Sequence, residues 1–208
     1  MKRFTGSLSL LYLGALLSGA VITDAGAADI ATLIAPCEDC HGKDGASEEP
    51  EIPSIGGFSA TYITDSLTVY RDKTRPCEEV KYPAGEHKGD STDMCKVSAD
   101  LSEEDSGLIA EHYAGKPFVR AKQSYDADLA ARGKGIHDLN CTKCHEDGGS
   151  SPDDDAGILA GQWMPYLEDQ FREYAEGKRP MPEKMVPKME KLSAEDTKAL
   201  INYYGSLQ

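Results

Sequence analysis

Basic residues are scarce in this chain. Its 208 residues include 22 Lys and Arg against 36 Asp and Glu, a formal net charge of −14. That balance argues against a nucleic-acid or anionic-membrane partner, whose phosphates call for clustered cations. It permits steering toward basic partners, and it equally suits a solvated acidic surface. A membrane span is missing too. The apolar run from Leu8 to Ile22 is broken by Ser9, Gly14, Ser18 and Gly19, and falls short of the roughly 20 apolar residues that cross a bilayer. No stretch reads convincingly as a strand, so the expected fold is all-α.

The short apolar run has a different meaning. Lys2 and Arg3 precede it and the small residues Ala25-Gly26-Ala27 follow it, the pattern of a secretory signal peptide over residues 1–27, cleaved before Ala28. Its loss removes Lys2, Arg3 and Asp24 and leaves 20 basic and 35 acidic residues, net −15. Export to the periplasm is expected, where spare thiols can oxidise.

Six cysteines remain to be placed, and four of them stand in one motif used twice: Cys37-Glu38-Asp39-Cys40-His41 and Cys141-Thr142-Lys143-Cys144-His145. Two thiols three residues apart can add to both vinyl groups of a haem, and the next residue's imidazole then lies under the iron. A zinc half-site or a thioredoxin-like pair uses Cys-x-x-Cys but has no call for His directly after it. Two covalent haem c groups are expected, with His41 and His145 as proximal iron ligands.

The motifs head an internal repeat. An offset of 104 carries Cys37, Cys40 and His41 onto Cys141, Cys144 and His145, Tyr62 onto Tyr166, Tyr70 onto Tyr174, and Arg75-Pro76 onto Arg179-Pro180. Beyond that the offset is 91, carrying Met94 onto Met185, Leu101-Ser102 onto Leu192-Ser193, Asp105 onto Asp196 and Tyr113 onto Tyr204. The first copy therefore has 13 extra residues between Pro76 and Met94. Two tandem modules follow, over residues 28–116 and 126–208 with a linker at 117–125, each near the low end of domain size, where a buried cofactor supplies much of the core. Ser102 and Ser193, each followed by acids, read as N-caps of two C-terminal helices. Shorter helices are expected before each motif, at 29–35 and 126–139.

The distal iron ligand separates an electron carrier from a haem that binds substrate. Met94 and Met185 stand eight residues before the two Ser caps, and a thioether ligand stabilises ferrous iron and raises the potential. Met181 and Met189 compete with Met185. Cys77 and Cys95 bracket the insertion, and a disulfide is the default in an oxidising compartment. Two alternatives need free thiols: Cys95 as a ligand of the first haem, or a copper site of Cys77, Cys95 and His87. Arg75 and Arg179 are candidates to pair with haem propionates, Trp163 and Tyr166 to wall the second haem. His112 and His137 have no motif, and Asp153-Asp154-Asp155 reads as a solvated loop rather than a calcium site.

With these residues in view the chain resembles the dihaem c-type cytochromes of the cytochrome c4 group. The segments Pro117 to Asp126, Cys144 to Gly149, Ile158-Leu159-Ala160-Gly161-Gln162-Trp163 and Arg179-Pro180-Met181 are similar, within that group, to the cytochrome subunit of flavocytochrome c sulfide dehydrogenase. The resemblance implies two cytochrome c domains related by pseudo-twofold symmetry. It also implies a partner flavoprotein with covalent FAD that oxidises sulfide and passes electrons to this chain, which is not an enzyme by itself. The insertion between Cys77 and Cys95 departs from the shorter version of that subunit. The competing functions are a free-standing c4-type shuttle to a terminal oxidase and a dihaem thiosulfate-oxidising enzyme.

Overall fold

The computed structural model describes Met1 and residues 25–208, with side chains from Ile30 onward; nearly all of the expected signal peptide lies outside the described residues. Each half is built on a pair of crossing helices. In the first, α1 (Ala25–His41) meets α4 (Glu103–Ala114), with α2 (Ala60–Arg71) packed against α4 and the short α3 (Met94–Ser98) packed against α2. In the second, α5 (Ala127–Asn140) crosses α9 (Ala194–Ser206), with α7 (Met164–Ala175) against α9, the irregular turn α6 (Glu146–Gly149) after the motif, and the single turn α8 (Val186–Met189). The repeat offsets map α2 onto α7 and α4 onto α9.

Local chemistry sets these boundaries. The hydroxyls of Ser102 and Ser193 accept from the backbone N–H of Asp105 and Asp196, whose carboxylates accept in turn from the Ser N–H groups, so both C-terminal helices open on a complete capping box. Asp126 caps α5 by accepting from Asp128 and Leu129 N–H. Helix α1 runs past the expected end at Ala35, through Pro36 and the whole motif. Its last turn is closed by Gly42 N–H donating to the Glu38 carbonyl at 2.9 Å, and Gly42 ends it at φ 74°, where a Cβ would stand 2.2 Å from Ala46 O. The second motif is instead a turn beyond the end of α5, with Cys144 and His145 N–H both donating to the Cys141 carbonyl.

Among the described residues, the 13-residue insertion contains the one departure from an all-helical reading. Val80–Lys81 (β1) and Ser91–Thr92 (β2) pair antiparallel in a hairpin whose base is closed by a Cys77–Cys95 disulfide, Cα atoms 5.8 Å apart. Two-residue strands have too little alternation to be read from sequence. The disulfide also removes the free thiols that an iron-ligating Cys95 or a copper site would need, and His87 is exposed beside Asp90. Ala84 of the insertion donates to the Asp39 carbonyl at 3.3 Å, laying the loop against the outside of the first motif.

The apolar residues gather in two cores, one around Ile63, Leu67, Ile109 and Tyr113, which also takes in Ile158 from the second repeat, and one around Leu167, Leu200, Ile201 and Tyr204. The α5–α9 crossing is close enough to require glycine: a Cβ on Gly133 would lie 2.0 Å from the Ala199 carbonyl oxygen and 2.8 Å from Tyr203 Cβ, whereas one on Gly135 would meet nothing within 4 Å. Gly133→Ala is expected to destabilise the protein by about 1–3 kcal/mol through forced separation of the helices, and Gly135→Ala to be neutral or stabilising by up to about 1 kcal/mol. Urea denaturation of both variants checks this, and equal midpoints would contradict the tight crossing.

Candidate haem sites and the seam between them

None of Cys37, Cys40, Cys141 and Cys144 is in a disulfide, which leaves all four sulfurs available for haem attachment. Burial pushes the Cys37 and Cys40 thiols up to about 11, and raises Cys141 as well. A redox-active Cys-x-x-Cys pair is marked by a lowered thiol pKa, the opposite of the direction at Cys37, Cys40 and Cys141. His41 is buried, its Nδ1 2.8 Å from the Pro53 carbonyl. Burial lowers the pKa of both His41 and His145, which keeps the imidazoles neutral, the form that binds a metal. The Nδ1 contact to Pro53 leaves Nε2 as the His41 nitrogen available to a metal.

Of the expected distal ligands, Met94 begins α3 and is half-buried against the first core. Met185 precedes α8 and is half-buried, as are Met181 and Met189. Asp154 accepts from Glu146 N–H at 2.6 Å, so one carboxylate of the triple-Asp run fastens the loop after the second motif. His137 is buried in the second core with Nδ1 3.1 Å from the Tyr204 hydroxyl.

The two modules meet along a seam. Gln162, fully buried, accepts from Ser54 N–H at 3.0 Å and donates to the Ser54 carbonyl at 2.9 Å. Gln123 from the linker donates to the Gln162 carbonyl and accepts from Met164 N–H. The Trp163 indole N–H donates to Ser47 O at 3.0 Å, and Tyr166 N–H to Pro50 O. Trp163 and Tyr166 therefore both reach toward the first module. The repeat gives no pointer to Gln162, because its counterpart is Phe58; its one signal is membership of the Gly-Gln-Trp segment.

Above this lies a crossed arrangement that obeys the repeat. Arg75 sits 4.5 Å over the Tyr70 ring and donates to the Tyr166 hydroxyl of the other module; Arg179 sits 4.5 Å over Tyr174 and donates to Tyr62. Both guanidinium groups also donate to the Gln170 amide oxygen. Burial pushes the Tyr62 hydroxyl up, but Arg179 and Arg75 outweigh it and hold its pKa below the ordinary phenol range. Glu173, 4% exposed, is the acid facing this pair; its carboxylate is 3.9 Å from Arg75 Nε, and neither of those two atoms has a hydrogen-bond partner. Two cations, one carboxylate and an orphaned Arg75 N–H leave room for an anion, and the propionates of a haem held at either motif fit that need.

Burial raises the Glu173 pKa, with Arg75 opposing it. A raised folded-state value means that folding favours the protonated acid. Its contribution is fully present below the ordinary carboxylate pKa and is lost as pH rises through the folded value. Glu173→Gln is therefore expected to gain stability relative to the parent between about pH 4.5 and 7. Denaturant midpoints across that range check the sign, and a variant that loses stability at neutral pH would contradict it.

Comparison with known proteins agrees with this geometry. The family described as cytochrome C oxidase, cbb3-type, subunit III, matches residues 128–203. Cytochrome c-554(548) of Halomonas halodenitrificans is 34% identical over 84 residues, 40% of this chain and 87% of the relative. Cytochrome c4 of Azotobacter vinelandii is 27% identical over 187 residues, 83% of this chain and 85% of the relative. The crystal structure of reduced cytochrome c4 from Pseudomonas stutzeri superposes with a TM-score of 0.69 at 26% identity, covering 88% of this chain and 98% of that one. With paired Cys-x-x-Cys-His motifs in paired helical modules, the chain belongs to the cytochrome c4-type dihaem cytochromes, electron-transfer proteins that carry two covalently bound haem c groups.

Proposed function

We propose that this chain is the electron-accepting subunit of a flavocytochrome c sulfide dehydrogenase, acting in the periplasm after loss of residues 1–27. The observation that carries the reading is the role of the Gly161-Gln162-Trp163 segment. It and the linker bear the resemblance to that subunit, and they supply Gln162, Trp163 and Gln123 to the seam. Buried hydrogen bonds between the modules would hold the two haem sites at a fixed separation, which electron passage between them requires. The partner chain carries the FAD and oxidises sulfide.

The modules are assigned to residues 28–116 and 126–208. Cys37 and Cys40 would tether one haem and Cys141 and Cys144 the other, with His41 and Met94, and His145 and Met185, as the residues that would bind the two irons. The bound haem supplies reversible one-electron chemistry. The chain's residues orient it: Pro53 O fixes the His41 ring, the thioethers of Met94 and Met185 favour the ferrous state, and Arg75 and Arg179 neutralise propionate charge at the seam.

A second reading, a free-standing shuttle to a terminal oxidase, is favoured by the 98% coverage of the solved cytochrome c4 chain. The thiosulfate-oxidising reading relied on a free Cys95 thiolate, and Cys95 is bonded to Cys77. Native copurification from the periplasm separates the first two. A stoichiometric flavin-bearing chain is the expected outcome, and a monodisperse dihaem protein without flavin would contradict it. The ligand set has its own check in the oxidised spectrum. Met94→Ala and Met185→Ala should each remove one of two Met-to-iron charge-transfer contributions, and Met181→Ala and Met189→Ala neither; loss with Met181→Ala or Met189→Ala instead of Met185→Ala would reassign the second iron.

A further inference from the structure

We propose that the first module has a divalent-cation site, absent from the second, formed by Glu38, Asp44 and His112. They come from three places: Glu38 from α1 between the motif cysteines, Asp44 from the 3-10 turn Lys43–Gly45, and His112 from the last turn of α4. One ligand atom from each lies within 4.8 Å of the other two. An imidazole nitrogen with two carboxylate oxygens is a donor set for a zinc-class or copper(II)-class ion.

Three independent features point to a ligand there. First, His112 Nε2 is buried and has no hydrogen-bond partner, while its ring is held edge-on against Tyr113 with centroids 5.0 Å apart. An orphaned buried nitrogen is destabilising, and a bound metal would relieve it. Second, Asp44 N–H donates to Glu38 Oε1 at 2.9 Å, which holds both acids at one corner.

The third feature is the internal repeat, which supplies a control inside the same molecule. Glu38, Asp44 and His112 correspond to Thr142, Gly148 and Tyr203. In the second module Gly148, φ 73°, lies so close under the Tyr203 hydroxyl that a Cβ would stand 2.9 Å from it. One copy closes this corner by packing tyrosine onto glycine. The other opens it, and all three replacements are metal-ligating side chains.

Lys116 Nζ is 2.7 Å from Asp44 Oδ1 and acts as the resident cation. Its side chain is 30% exposed, so it can swing into solvent as a dication arrives. Bonds of about 2.0–2.2 Å in tetrahedral geometry require ligand atoms about 3–3.5 Å apart, which rotation of the two acid side chains supplies. A fourth position stays open for water. The ion would sit beside the first haem attachment and not the second, and its positive charge would favour reduction at the first iron.

The test uses the haem-loaded, metal-stripped protein titrated with zinc chloride by calorimetry. The comparison variant is Glu38→Thr/Asp44→Gly/His112→Tyr, which installs the second module's own residues. The parent is expected to bind one zinc per chain at least about tenfold more tightly than the variant, and His87→Ala to bind as the parent does. Should the triple variant fail to fold, His112→Gln alone must lower zinc affinity by about tenfold. No saturable zinc binding, or equal affinity in parent and variant, overturns the site.

Discussion

In each half of the molecule one buried tyrosine pins the C-terminal helix to the haem-binding peptide. Tyr113 and Tyr204 are the largest fully buried side chains, and each packs in a core that includes the first cysteine of its module's motif. Their backbones do a second job: the Tyr113 carbonyl accepts from Gly57 N–H and the Tyr204 carbonyl from Gly161 N–H, both at 2.8 Å. A single residue per module thus ties together the final helix, the loop that leads to the seam, and the thiol to which a haem is joined. The repeat keeps all three ties.

The halves are joined both by apolar packing, with Ile158 of the second repeat buried in the first core, and by buried polar contacts. Gln162 is a neutral amide, and each of its two bonds to Ser54 contributes about 0.5–1.5 kcal/mol net, with a larger loss if one side is left unpaired. The buried charges beside it do not stabilise comparably: Arg75 and Glu173 are 3.9 Å apart with orphaned facing atoms, and such a pair scarcely offsets its desolvation. The amide bonds therefore set the register of the modules. The crossed Arg and Tyr pairs supply an electropositive centre suited to propionates.

Much of this was legible in the residues. The Cys-x-x-Cys-His motifs named the cofactor, the offset of 104 matched α2 to α7, and the Ser caps located α4 and α9, because each rests on local chemistry or on self-comparison. What escaped reading depends on contacts between distant segments. Gln162 and Glu173 correspond to Phe58 and Val69, so the repeat could not single them out. The hairpin in the insertion is held by its disulfide and not by an alternating pattern. Helix α1 runs on through Pro36, a residue that in sequence signals a helix end. His112 has no motif, and acquires meaning only when α4 sets it beside Glu38 and Asp44.

The central claim is that this polypeptide holds one thioether-linked haem in each repeat. Intact-mass analysis of natively matured protein, followed by peptide mapping, tests it most directly. The account predicts two added haem masses, one on the peptide spanning Cys37 to His41 and one on that spanning Cys141 to His145. A mature chain with no added haem, or with both motifs recovered as free thiols, would contradict it.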